Sequence, residues 1–190
     1  MDRPDGDDWE TRLERTWSRM DALVAERGED GFRAAVEALA AELPAGSAVA
    51  DFERGCAHDS TGLPEAAVRF YRAALRTGLT GLRRRRAVVQ LASSLRNTGR
   101  PQESVALLRA ELARAPEEGP EAAEVAALED AVRATLALAL TDLGRAREGV
   151  SLVLTALAPH LPRYQRSMAA YARLLMEDGP APDGPVPHPG

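Results

Sequence analysis

Gly62-Leu63-Pro64-Glu65-Ala66-Ala67-Val68-Arg69-Phe70-Tyr71-Arg72-Ala73-Ala74-Leu75 is the stretch whose reading decides the fold. A glycine stops one helix, and a proline opens the next in a turn where its missing N–H is not needed. A small residue followed by Val, Ala67-Val68, then begins an apolar stripe that continues through Tyr71 and Leu75 at helical spacing. Outward in both directions the same phrase recurs: Ala35-Val36 with Leu39 and Leu43, Ser104-Val105 with Leu108 and Leu112, and Gly149-Val150 with Val153 and Leu157. The small residue lets another helix approach closely, while the larger ones form an inward stripe. Such a period predicts an all-α superhelix of stacked antiparallel helical hairpins, an architecture used mostly to hold other molecules.

The punctuation between the phrases sets the elements. Trp9, Leu13, Trp17, Met20 and Val24 mark a first amphipathic helix ending near Gly28, and a second runs from about Gly31 to Leu43. Ser47 is positioned to cap a third, which Gly62 ends. Pro64 opens a fourth that closes at Gly78 and Gly81, and a fifth spans about Leu82 to Thr98. Pro101 opens a sixth that stops before Pro116. After the loop Pro116-Glu117-Glu118-Gly119-Pro120, one long helix is expected over Glu121 to Leu143. An eighth follows over Ala146 to Ala158, and a ninth from Pro162 to about Glu177. The chain thus divides into a polar leader at 1–8, a helical repeat domain at 9–177 made of about four pairs and a closing helix, and a Pro/Gly tail at 178–190. Leader and tail have nothing to pack and are expected to be disordered.

Composition narrows the function classes. The length of 190 residues suits one domain or one short array. Aromatics make up 4 %, so the core must be built from Ala, Leu and Val, which suits close helices and not a β-sandwich. All 24 basic residues are Arg, with no Lys or Ile anywhere, a mark of a GC-rich genome. The net charge of −5 argues against general nucleic-acid binding. No apolar run approaches the ~20 residues that span a bilayer, the acidic start is unlike a secretory signal, and Cys56 has no partner for a disulfide. Together these predict a cytoplasmic protein away from the membrane.

Beside the opening stretch stands Gly55-Cys56-Ala57-His58, and the two together resemble one unit of the tetratricopeptide repeat. In that family a small residue lies in the middle of the first helix, a Gly joins the helices, and an Ala, an aromatic and another Ala lie on the second. Gly55, Gly62, Ala67, Tyr71 and Ala74 match in register. The next copy keeps Ala92 and Gly99, and the third keeps Ala137, Gly144 and Ala156. The first hairpin, Leu23 to Leu43, is the most degenerate and lacks the linking Gly. Intervals between equivalent residues are 32, 37 and 45 (Ala35 to Ala67, to Ser104, to Gly149), against a unit of ~34. Gln90 to Arg100, with Pro159 to Gln165 downstream, looks like the small bacterial subgroup called tetratrico peptide repeat group 5. The resemblance covers about Ala22 to Leu175 and implies protein–protein contacts without naming a partner.

The resemblance also implies a concave groove lined by the first helix of each pair. Its positions fall on Val49, Phe52, Glu53, Cys56, Asp59 and Ser60, then on Arg86, Val89, Ser93, Arg96 and Asn97, then on Ala134, Leu138, Thr141 and Asp142. This mixture suits an extended peptide or a partner helix, with Phe52 and Leu138 as anchors. The plain alternative is that Asp59, Arg96 and Asp142 only neutralise charge between adjacent helices. A clamp that one subclass uses for acidic C-terminal peptides is absent, since Phe52, Cys56, Gln90, Ala131 and Thr135 occupy its positions.

Other candidates are weaker. Arg83-Arg84-Arg85-Arg86 fans around its helix at ~100° per residue, near an N-terminus whose dipole disfavours cations. It therefore needs acidic neighbours or a ligand anion. Cys56 and His58 lie two apart on a helix and point away from each other, so no nucleophile–base pair is expected. His160 and His188 make no metal site, and no Gly-rich phosphate loop is present. Trp9 and Trp17 share one face, as in a packed N-terminal cap. The reading is of a non-catalytic scaffold binding a protein or peptide segment, without cofactor or metal. A homo-oligomeric module, possible as a homodimer through the Trp-bearing or closing helix, stands second. Nucleic-acid or anion binding through the Arg run ranks below it, and an enzyme ranks last.

Overall fold

The computed structural model describes residues 8–116 and 118–177, and these form helices joined by short turns, with no strand among the described residues. Of the predicted leader only Asp8 is described; residues 1–7 and the tail 178–190 lie outside the described residues. Asp8 caps α1 (Trp9–Ser18), its carboxylate accepting from the Thr11 N–H at 2.8 Å. α1 does not run on to Gly28 as predicted. The hydroxyls of Thr16 and Ser18 donate to the carbonyls of Arg12 and Arg15, bonds that bend helices, and the chain breaks at Arg19.

α2 (Met20–Ala40) contains a sharp bend at Gly28, where φ 72° and ψ 173° are open to glycine alone. The first hairpin therefore does have a linking glycine. It lies seven residues before Ala35, whereas Gly62, Gly99 and Gly144 lie five before Ala67, Ser104 and Gly149. Three further hairpins follow: α3 (Ala48–Ser60) with α4 (Pro64–Thr77), α5 (Gly81–Asn97) with α6 (Pro101–Leu112), and α8 (Glu129–Asp142) with α9 (Ala146–Leu157). Their turns are the same object three times over. Gly62, Gly99 and Gly144 take φ between 73° and 77°, and the next N–H donates back to the carbonyls of His58, Leu95 and Leu140, each at 2.9 Å.

The long helix expected over Glu121 to Leu143 is broken at Leu128, which gives α7 (Ala122–Ala127) ahead of α8. Two anchors hold α7 against α5. Val125 is buried, and the Glu121 carboxylate accepts from the Leu82 N–H at the start of α5. The closing helix is shorter than predicted, a 3-10 turn over Ala158–His160 preceding α10 (Gln165–Leu174).

Packing follows the repeated stripe. Val36, Val68 and Val105 are buried, as are Leu39, Tyr71 and Leu108. Each fully buried large side chain contributes about 1.5–3 kcal/mol. Gly55 lies against the Tyr71 ring so closely that a Cβ there would come within 2.6 Å of Cδ1. The fourth copy departs from the expected pattern: Val150, Val153 and Leu157 are exposed, because among the described residues no later helix covers that side of α8 and α9.

Candidate partner groove

The backbones of α3 and α5, and of α5 and α8, lie close together, whereas α4, α6 and α9 meet only through the ends of long side chains, Arg72 with Glu103 and Arg109 with Glu148. Helices that touch in one layer and separate in the other make the array curve toward the first layer. The predicted groove therefore lies on the side of α3, α5 and α8.

Depth on that side differs from the expectation. Phe52, Glu53 and Cys56 are buried. α5 settles into the seam between α3 and α4, setting Ala87, Leu91 and Leu95 against Phe52, Cys56, Ala67 and Tyr71. Phe52 also carries the Arg86 guanidinium 5.2 Å above its ring, and the Cys56 thiol donates to Gln90 Oε1 at 3.1 Å. Burial pushes that thiol up to about 12, the wrong direction for a nucleophile. His58 is turned elsewhere, its Nδ1 on the Arg54 carbonyl at 2.8 Å and its ring 5.0 Å from Phe70.

Glu53 is covered by the N-terminal helix. Trp17 Nε1 donates to its Oε2 at 3.0 Å and Arg83 Nε to its Oε1 at 3.3 Å. Burial outweighs both and raises its carboxyl above the usual range. Trp17 meets Phe32 edge-on at 5.1 Å, and Trp9 Nε1 donates to the Leu39 carbonyl at 2.8 Å, so both tryptophans tie α1 to the array. Asp59 is half-buried and accepts from the Ser94 hydroxyl at 2.9 Å; its carboxyl is raised by burial. Val49 is partly buried against the same core.

What remains open is a polar line along α5. Arg86, Gln90, Ser93 and Asn97 recur at i, i+4, i+7 and i+11 and keep solvent access, while Ala87, Val88, Leu91, Ala92 and Leu95 on the opposite side are buried. Val89, beside this line, is half-buried against the next core. Gln90 escaped the sequence reading of the groove, although its spacing from Arg86 and Ser93 marks it. At the far edge Arg96 closes on Asp142 through two bonds of 2.7 and 3.2 Å and donates to Asn97 Oδ1. That pair neutralises itself between α5 and α8. Leu138 and Thr141 are exposed but face α9, forming a separate apolar groove with Val150 and Val153.

The arginine run resolves into two places. Arg83 pairs with Glu10 and Glu53 and Arg86 lies on Phe52, whereas Arg84 and Arg85 both bind Glu111 of α6. Glu111 is buried: burial pushes its carboxyl up, but bonds from Arg84 and the charges of Arg84, Arg85 and Arg114 outweigh this and leave it lowered. No helix among the described residues is long and apolar enough to cross a membrane, and no group of three metal-binding side chains converges there.

The family model described as tetratrico peptide repeat matches residues 48–175, from the start of α3 to just past α10. No curated protein matches the chain.

Proposed function

The chain belongs to the tetratrico peptide repeat family, and on that premise we propose that it is a non-catalytic scaffold of the cytoplasm that holds a segment of a partner protein along its first helical layer. The observation that carries this reading is the line Arg86, Gln90, Ser93 and Asn97 on α5. A helix packed on both flanks keeps four side chains with hydrogen-bonding or charged ends facing the inside of the curve. Such groups orient an extended backbone or a polar helix face, and shape supplies the rest. The anchors are not Phe52 and Cys56, which the protein uses for its own core. The buried, raised thiol of Cys56 and the separate engagement of His58 favour the non-catalytic reading.

Affinity capture with mass spectrometry from the source organism tests this, comparing the native protein with a Ser93→Arg, Asn97→Glu variant of equal thermal midpoint. Partners recovered by the native protein and lost by the variant are expected. An identical set from both would remove α5 as the binding line.

A further inference from the structure

The C-terminal end of the array is apolar and open. In each inner hairpin the seam between its two helices is filled by the first helix of the next one. α5 lays Ala87, Leu91 and Leu95 onto the α3/α4 seam, and α8 lays Val132, Leu136 and Leu140 onto the α5/α6 seam. Both incoming helices use positions i, i+4 and i+8. The corresponding seam in the last hairpin is a groove of about 350 Å³ lined by Ala134, Leu138, Gly149, Val150, Val153 and Leu154. α10 does not fill it. Ser151 Oγ donates to the Ala172 carbonyl at 2.7 Å and holds α10 on α9, and α10 does not approach α8. Val150 is therefore 49 % exposed, whereas its counterparts Val36, Val68 and Val105 are at most 6 % exposed.

α10 is itself only half covered. Ala172 is buried on α9, while Tyr171 and Leu174, about 60° apart at 100° per residue, form an exposed strip on α10, and Tyr164 stands exposed just before its first residue. Of the nine large hydrophobic residues exposed among the described residues, eight lie between Leu138 and Met176. Apolar surface gathered at one end marks an interaction site.

We propose that this end binds a second copy of the chain, α10 of each copy laying its free apolar strip in the α8/α9 groove of the other. The groove has the shape that receives a helix elsewhere in the same array, and α10 is a helix with an apolar strip left over. Groove and strip lie at the same end, and exchanging them between two copies about a two-fold axis gives a closed pair. This pairing is independent of what the first layer holds.

Sedimentation equilibrium of the full chain, up to about 500 μM, covers the range in which an interface of ordinary size is filled. The native protein is expected to dimerise reversibly. Val153→Asp in the groove and Leu174→Asp on α10 alter exposed positions, so the helical circular dichroism should stay unchanged. Each should raise the dimer dissociation constant at least about 100-fold by placing a carboxylate in an apolar contact. A native protein that stays monomeric throughout overturns the proposal and leaves the groove to another partner or to a following segment. A dimer that survives both substitutions overturns it by placing the interface elsewhere. A dimer sensitive to Leu174→Asp alone overturns it in favour of helix-to-helix pairing.

Discussion

Replacing Glu111 with Ala tests whether the two layers are joined by a buried ion pair or merely decorated by one. Arg84 donates to the Glu111 oxygens at 2.8 and 2.7 Å and Arg85 reaches them at 2.9 Å. The carboxylate is 3 % exposed, and the guanidinium side chains are 18 % and 12 % exposed. Removing one partner of a buried pair costs about 3–5 kcal/mol, because the charge left behind keeps its desolvation cost. Residual solvent at both arginines places the loss at the lower end, about 3 kcal/mol. Arg85 carries most of it, since its Nε is already buried without an acceptor. In a chain of this length that loss lowers the thermal midpoint by roughly 6–12 °C.

A second substitution, Arg85→Ala, in the Glu111→Ala background should recover about 1 kcal/mol, since the more buried of the two cations that lost the carboxylate is gone. The sign with pH follows from the lowered carboxyl. Its contribution is present above the ordinary value of 4.5 and lost as pH falls through the depressed one. Urea midpoints of the native protein and Glu111→Gln should therefore converge only in acid below that ordinary value. A midpoint shift under about 2 °C for Glu111→Ala, or a double variant as unstable as the sum of its parts, would refute the reasoning.

Gly55→Ala should destabilise by about 1–3 kcal/mol in urea, because its Cβ would collide with a Tyr71 ring that is fully buried and cannot yield; an unchanged midpoint would contradict the close approach. Cys56, buried and pushed up to about 12, should resist alkylation at pH 8 in the folded protein and react completely in urea; fast labelling of the native thiol would count against the packing of α5 on α3. Asp142→Ala should cost at most about 1 kcal/mol, since Arg96 and Asp142 both keep solvent access; a loss comparable to that of Glu111→Ala would mean that this edge of the groove is far less hydrated than its geometry indicates.

The helical hairpins were legible because their signals are local. Ser47 before α3, Pro64 and Pro101 at helix starts, and a glycine closing each later hairpin all act within a turn of their own position. The breaks at Arg19 and Leu128 were not legible, for neither position holds Gly or Pro. The first comes from two hydroxyls bonding backward, the second accompanies the docking of Val125 and Glu121 on α5. The groove was read by face and misjudged by depth. Register on a helix says which way Phe52, Glu53 and Cys56 project, but α5 downstream and α1 upstream decide whether they meet water. Glu10 and Arg83 stand 73 residues apart, and nothing in either neighbourhood announces their contact.

The three turns at Gly62, Gly99 and Gly144, alike in φ and in hydrogen bond, have a kinetic meaning. Each hairpin is fastened by its own short loop, so the entropy of closing it is met locally and does not wait for distant parts of the chain. Assembly then proceeds by accretion: a hairpin formed anywhere offers a seam to its neighbour, and loss of an end hairpin leaves the others standing. Amide hydrogen exchange should read as a staircase. It should be slowest where α3, α4 and α5 meet and quicken toward α9 and α10, where the last seam has no helix laid into it.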